Sequence, residues 1–315
     1  MSAETIFQLR ETQVPGGPFQ GNDVHCYGQQ LARQEQNDRM NISVSSYEDA
    51  VAFSAVAGDF LRTRPVHHNL MLTLLDDRIN RPEPGRYWVA VRAGQVAGVV
   101  FQSPLTHSAL LVPMELDALT ALADAIAEAG AVLPGVSGEA ATAACFAGLW
   151  TERTRSAAAP KQGLRIYELH GVMDIGSVEG NLRRADERDR ALAERWVREF
   201  QTETGERPSD PAPRVEAWLT AGQIWLWQNG EAMSMTITRK SAHGVVRLAG
   251  VYTPPEKRRR GYAAACVHAI SKAITAAGFR CMLYTDLGNP TSNSIYRRIG
   301  YRAVAEGLHY RFDQA

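Results

Sequence analysis

The sequence predicts an α/β protein built as two consecutive units of similar size. Length, composition and an order of elements that occurs twice carry this expectation. At 315 residues the chain exceeds the roughly 100–200 residues of a usual single core. Its 45% hydrophobic and 22% charged content is that of a globular protein. The hairpin pattern YWVAVRAGQVAGVV in the first half has a counterpart, IWLWQNGEAMSMTI, in the second. Each is followed by patterns for a strand, a helix, a strand and a helix.

The first forty residues are rich in Gln, Gly and Asn and read as a weakly ordered extension, with folding expected to begin near Met40. Tyr47, Val51, Phe53, Val56, Phe60 and Leu61 fall near helical spacing and predict a helix over 47–62. A second short helix, 70–79, ends before Pro82 and Pro84. The hairpin and a strand HSALLV follow, then an amphipathic helix 115–128 closed by Gly130, a strand at Val132-Leu133 and a helix 139–154. RSAAAPKQG (155–163) reads as a linker or an exposed turn before the strand pattern LRIYELHGV, a strand that either closes the first sheet or opens the second. The second half gives a strand 181–185, a helix 189–204 ending at Gly205, the proline-rich RPSDPAP and a helix 214–221. Its hairpin precedes the strand VVRLAGVY, a long helix 261–277, the strand CMLYTD, the helix SNSIYRRI and a final strand or hairpin, YRAVAEGLHYRF. The expected units are therefore 1–40, 41–165 and 166–315.

Thirty-four basic residues balance thirty-four acidic ones, so no global field directs the chain to nucleic acid or membrane. An anion site must come from a local cluster. Cys26, Cys145, Cys266 and Cys281 form no Cys-x-x-Cys pair and lack histidines at zinc-ligand spacing. They read as buried free thiols in a reducing compartment, and no metal is expected. No stretch of about 18 apolar residues occurs, and the N-terminus lacks the apolar core of a signal peptide. The expectation is a cytoplasmic protein with neither membrane nor nucleic-acid partner and an open oligomeric state.

The strand VVRLAGVYTPP runs into the basic loop EKRRRG and then a helix starting near Gly261. Free N–H groups at a helix start, the positive end of the helix dipole and adjacent arginines all favour an anion. Gly261 and the small Ala263 leave room for phosphate oxygens beside the main chain. The element order is neither that of a Walker loop nor that of the dinucleotide fingerprint.

The spacing Arg258-x-x-Gly261-x-Ala263 resembles the Arg/Gln-x-x-Gly-x-Gly/Ala signature of the GNAT acetyltransferase superfamily. The preceding Val251-Tyr252-Thr253-Pro254 resembles the end of that family's fourth strand. Asn289-Pro290-Thr291-Ser292-Asn293-Ser294-Ile295-Tyr296, with Gly300-Tyr301, is similar to its downstream Asn/Tyr segment. The resemblance implies two tandem GNAT-like α/β domains, each a mixed, mostly antiparallel sheet flanked by helices. It implies acetyl-CoA as cosubstrate and a primary amine of a small molecule or peptide as acceptor. Main-chain groups of Val251, Tyr252 and Thr253 would bond the pantetheine. Amides of Arg259, Arg260, Gly261, Tyr262, Ala263 and Ala264 would hold the pyrophosphate, with Arg258 and its neighbours adding charge. Asn289 would contact the pantetheine, Asn293 the cofactor or the helix start, and Tyr296 the departing thiolate.

Many relatives carry a glutamate on the fourth strand as base. Here that strand reads Val245-Val246-Arg247-Leu248-Ala249-Gly250, leaving the base open between water, Asp286 and the first unit. The first unit has Val112-Pro113-Met114-Glu115-Leu116-Asp117 where the second has its basic loop, so pyrophosphate is expected in the second unit only. Three other readings stand beside the enzyme. One is a non-catalytic acyl-CoA-binding or regulatory module, and another is a tandem acyltransferase similar to mycothiol synthase. The third is nucleic-acid binding through Arg258–Arg260 with Arg297 and Arg298. His67 and His68 read as ordinary surface histidines, and Tyr301, Trp225 and Trp227 as packing.

Overall fold

Alternation of polar and apolar residues starts the sheet earlier than the helical spacing suggested. In the computed structural model, which describes residues 42–205 and 209–313, Ile42–Tyr47 is strand β1, and helix α1 spans Ala50–Arg62. Asp49 fixes that helix start, its carboxylate accepting from the N–H of Ala52 at 2.7 Å. The expected extension 1–40, with Cys26, and part of the proline-rich segment lie outside the described residues.

The first series continues with α2 (Asn69–Asn80), β2 (Arg86–Arg92), β3 (Gln95–Gln102), β4 (Ala109–Leu111), α3 (Leu116–Glu128), β5 (Gly135–Glu139), α4 (Ala140–Thr154) and β6 (Ala157–Leu169). The second contains β7 (Asn181–Arg184), α5 (Arg190–Thr204), α6 (Ala212–Thr220), β8 (Ile224–Asn229), β9 (Glu231–Thr238) and β10 (Val245–Tyr252). It closes with α7 (Tyr262–Ala276), β11 (Arg280–Asp286), α8 (Pro290–Ile299) and β12 (Tyr301–Asp313). The order β-α-α-β-β-β-α-β-α-β thus runs twice. Two expectations are corrected. The fifth strand lies at Gly135–Glu139 rather than Val132-Leu133, and most of the expected linker, from Ala157 onward, is β6.

All twelve strands form one sheet in the order β1-β2-β3-β4-β5-β12-β6-β11-β10-β9-β8-β7. The fold is mixed α/β, with a largely antiparallel sheet flanked by helices. The parallel pairs are β4 with β5 and β10 with β11. The closing strand of each series lies next to the other series' strands. β12 pairs with β5, whereas β6 pairs with β11, and β6 and β12 run antiparallel along nearly their whole lengths.

Apolar side chains from both sheet faces meet the helices. Trp88, Phe146 and Trp150 pack with α3 and α4, and Tyr262, Cys266 and Tyr296 of α7 and α8 pack over Leu248 and Leu283. Phe53, Leu72, Tyr87 and Phe101 form the core under α1 and α2. Trp196 and Val215 of α5 and α6 cover Leu226, Met235 and Tyr252. The turn between α1 and α2 reaches the second series, where Val66 packs with Val245 and Met282. The same turn corrects the reading of His68, which is buried at 2% exposure and stacked on Phe60 of α1. Burial lowers its pKa, Nδ1 lies 2.9 Å from the Leu61 carbonyl, and Nε2 has no partner among the described residues. Of the described thiols, Cys266 and Cys281 are buried as expected, but Cys145 is exposed. Trp227 is buried and Trp225 half-buried against the α7 and α8 core, in keeping with packing roles.

Candidate functional site

Two departures from regular pairing shape β10. Its partners on β9 run Leu248–Thr238, Ala249–Ile237 and then Tyr252–Met235, so Gly250 and Val251 form a bulge. Gly250 has φ +55°, a backbone conformation that suits glycine. On the other side, parallel pairing with β11 covers Val245–Leu248 against Arg280–Leu283, while β11 runs on to Asp286 alongside β6. Beyond Leu248 the two parallel strands therefore part.

The end of β10 is pinned from β9. The Ser234 hydroxyl donates to the Tyr252 carbonyl at 3.0 Å and accepts from the Thr253 hydroxyl at 2.9 Å. The Tyr252 ring lies on the α5 side, its hydroxyl donating to Glu199 and Glu203 at 3.0 and 3.3 Å. Burial, and then these carboxylates, push its pKa well up. After Thr253 the chain makes a 3-10 turn at Pro255–Lys257. Lys257 holds that turn through the Ala232 carbonyl at 2.8 Å and Glu231 at 2.9 Å.

The basic loop divides its arginines. Arg258 donates to the Thr253 carbonyl at 2.8 Å and pairs with Glu203 at 2.6 Å. Arg259 and Arg260 are exposed and have no carboxylate partner among the described residues. Left-handed backbone at Arg259 (φ +64°) and Gly261 (φ +83°) turns the chain into α7. A Cβ on Gly261 would lie 3.2 Å from Val178, so glycine suits both the dihedral and the space. Tyr262 is buried, and Ala263 and Ala264 are half-buried small residues in the first turn. No acidic side chain occupies that turn.

Past β11, Asn289 caps α8, its side-chain oxygen accepting from the Ser292 N–H at 3.0 Å. Asn293, one turn on and 4% exposed, donates to the carbonyls of Asp286 at 3.0 Å and Asn289 at 2.7 Å. Its Oδ1 is buried with no partner among the described residues, an unusual state for a buried polar atom. Tyr296 lies between Tyr167 and Tyr301, each ring 6.1 Å from its own. Burial alone raises its pKa well above the ordinary value, so the hydroxyl keeps its proton. Tyr301 bonds Ser271 at 2.7 Å and Cys281 at 3.0 Å inside the core. Tyr296, Tyr262 and Leu248 share one core cluster, with Val251 against it. The residues singled out in sequence therefore gather along β10, the start of α7 and α8.

The sequence reading missed a cavity on the other sheet face, of about 130 Å³, between α5, α6 and the β10 bulge. Its walls come from segments that no local pattern links. Among the described residues no group of three potential metal ligands occurs, and no helix is long and apolar enough to cross a membrane.

The family model described as FR47-like protein matches residues 228–310, a span that contains every residue of the candidate site from Val251 to Tyr296. No curated protein matches the chain. The fold is similar to that of a GCN5-related N-acetyltransferase from Sphaerobacter thermophilus. Identity is 14%, the TM-score 0.58, and the likeness covers 86% of this chain and 96% of that one. An acetyltransferase of the GNAT family from Colwellia psychrerythraea gives 9% identity and a TM-score of 0.56 over 86% of this chain and 100% of that one. A Drosophila protein gives 13% and 0.57 over 86% and 98%. At these identities the likeness establishes a shared fold.

Proposed function

We propose that the chain is an acetyl-CoA-dependent N-acetyltransferase whose cosubstrate binds in the second series. The FR47-like match over 228–310 and the GNAT-type fold point to acyl transfer in general. The observation that carries the finer reading is the conjunction at β10. The strand bulges and parts from β11 beside a helix start free of acidic side chains. The fit extends to Asn293, whose orphaned Oδ1 is an acceptor for an amide N–H of a pantetheine arm. Gly261, where a side chain would crowd the loop, leaves space for a diphosphate.

In this reading the free edge of Val251–Thr253 bonds the arm as an added strand would. The amides from Arg259 to Ala264 hold the diphosphate. Because Arg258 is committed to Glu203, the uncommitted positive charge there comes from Arg259 and Arg260. The neutral amine attacks the thioester carbonyl, a strand N–H stabilises the oxyanion, the nitrogen gives up a proton to solvent water, and CoA leaves as thiolate. Tyr296, protonated in its buried setting, supplies the proton or hydrogen bond to that sulfur. The acceptor is a primary amine of a small molecule or peptide. The two series act as tandem units, 41–165 and 166–315, with the cosubstrate in the latter.

Isothermal titration of the pure protein with acetyl-CoA tests this directly. Saturable one-site binding is expected, and absence of heat with folded protein refutes it. A second reading, a non-catalytic acyl-CoA-binding module, is favoured by one feature: among the described residues no carboxylate lines the cavity beside the bulge. CoA release with an amine panel supports the enzyme; tight binding without turnover supports the module.

A further inference from the structure

The cavity beside the β10 bulge has a chemical character that the proposed activity does not dictate. Ala249 and Gly250 of β10 and Ile237 of β9 form its floor, and Arg214, Trp218 and Arg239 stand around it. Alternation along the strands places Arg239 on the same sheet face as Ile237, and Arg247 on the same face as Ala249.

Three guanidinium groups on this face lack a carboxylate partner among the described residues. Arg239 is half-buried. Burial first, and then the charge of Arg247, push its pKa below the ordinary value, with Asp77 opposing and Arg214 and Arg81 adding to the shift. Arg214 donates to the Ser209 hydroxyl at 3.0 Å. Arg247 is 8% exposed; it donates to the Asn69 side-chain oxygen at 3.3 Å and bonds the Tyr284 side chain, whose ring lies 5.5 Å away. Elsewhere the pattern differs: Arg183, Arg190 and Arg258 each engage a carboxylate. A buried cation without a counterion is costly. Arg247 carries that cost outright and Arg239 in part, and Arg239 with the exposed Arg214 borders an open cavity, a setting that suits an anion.

Trp218 arranges two of them. The guanidinium carbons of Arg214 and Arg239 lie 5.8 and 5.7 Å from the indole centroid. Stacking of this kind restrains the planar fork while leaving its N–H edges available for bidentate bonds to a carboxylate. The volume of about 130 Å³ is close to the roughly 150 Å³ of a cavity that accepts benzene. It suits the end of a small molecule.

We propose that Arg239 and Arg214 bind the carboxylate of the acyl acceptor, which is a small amine bearing a carboxylate, of the amino-acid type. The inference rests on the acetyltransferase reading for the word acceptor. The anion site itself stands on the cavity and its arginines. With its carboxylate held there, the amine lies towards Gly250, on the strand proposed to carry the thioester.

The test uses the full chain with saturating acetyl-CoA and compares common amino acids with their amides, which keep the amine and lose the charge. Amino acids are expected to exceed amides by about 10–100-fold in kcat/KM, the range of a charge-assisted hydrogen bond. Arg239→Gln should bring that ratio towards one, Arg239→Lys should retain part of it, and acetyl-CoA affinity should hold in both. Arg214→Gln, at an exposed helix position, should lower the ratio as well. Amides turned over as well as amino acids, or a ratio unaffected by both Gln variants, overturns the proposal. Failure of acetyl-CoA to bind overturns the underlying reading instead. In that case, titration with amino acids alone still decides the cavity. Binding lost in Arg239→Gln supports it, and no binding to the native chain refutes it.

Discussion

Replacing Gly261 by glutamate separates a phosphate-binding helix start from a merely solvated basic turn. Any side chain there meets two local costs. The φ of +83° disfavours an L-residue by about 1–2 kcal/mol, and the new Cβ lies 3.2 Å from Val178, which must yield slightly. Gly261→Ala carries both costs without charge, so it is the proper reference. Melting temperatures of the two variants should therefore agree within a few degrees. Glutamate adds one negative charge within about 5 Å of the proposed diphosphate. At an effective dielectric of 20–80 that is about 1–3 kcal/mol per phosphate charge. Acetyl-CoA affinity should fall about 10–100-fold from Gly261→Ala to Gly261→Glu, measured by isothermal titration at 0.15 M salt. A Glu variant that is folded and binds within about threefold of the Ala variant places the phosphates elsewhere.

Tyr296→Phe removes the hydroxyl and keeps the ring between Tyr167 and Tyr301. It should lower kcat by at least about tenfold with little change in acetyl-CoA Kd, and equal losses in both would assign the ring to packing. Asn293→Ala deletes two hydrogen bonds, to the carbonyls of Asp286 and Asn289. A stability loss of about 1–3 kcal/mol in urea denaturation is expected, together with weaker acetyl-CoA binding. Unchanged binding would leave the buried Oδ1 without a ligand role. Burial raises the Cys281 thiol from its ordinary 9.0 to about 11. The native state holds that proton where the unfolded chain releases it, so this contribution is complete below pH of about 9 and is lost as pH rises towards 11. Melting temperatures should fall over that window, less steeply in Cys281→Ala; identical slopes would discount the thiol.

Local features were legible in the sequence because local chemistry sets them. The basic loop, Gly261 and the α7 start are fixed by backbone dihedrals and cap chemistry within a few residues. The same holds for Gly205 ending α5 and Asn289 starting α8. What escaped was non-local. Most of RSAAAPKQG resembled a linker because alanines, Pro160 and Lys161 show little apolar alternation. It is a strand because β12 supplies partners for Ala157–Gly163. β5, with glycines at Gly135 and Gly138, has poor intrinsic strand preference and is held by β4 and β12. His68 passed for a surface residue because its cover comes from the chain folding back on Phe60 and Leu61 of α1. Arg214, Arg239 and Arg247 lie on different elements, and their shared sheet face emerges only when α6, β9 and β10 come together.

The location of the cosubstrate is tested most directly by a crystal structure of the full chain with acetyl-CoA. The account predicts the diphosphate on the main-chain amides between Arg259 and Ala264, and the pantetheine between the parted ends of β10 and β11. It further predicts an amide N–H donating to Asn293 Oδ1, and the thioester beside the Gly250 bulge. Acetyl-CoA bound instead at the corresponding helix start of the first series, near Val112–Asp117, or away from β10 altogether, would contradict it.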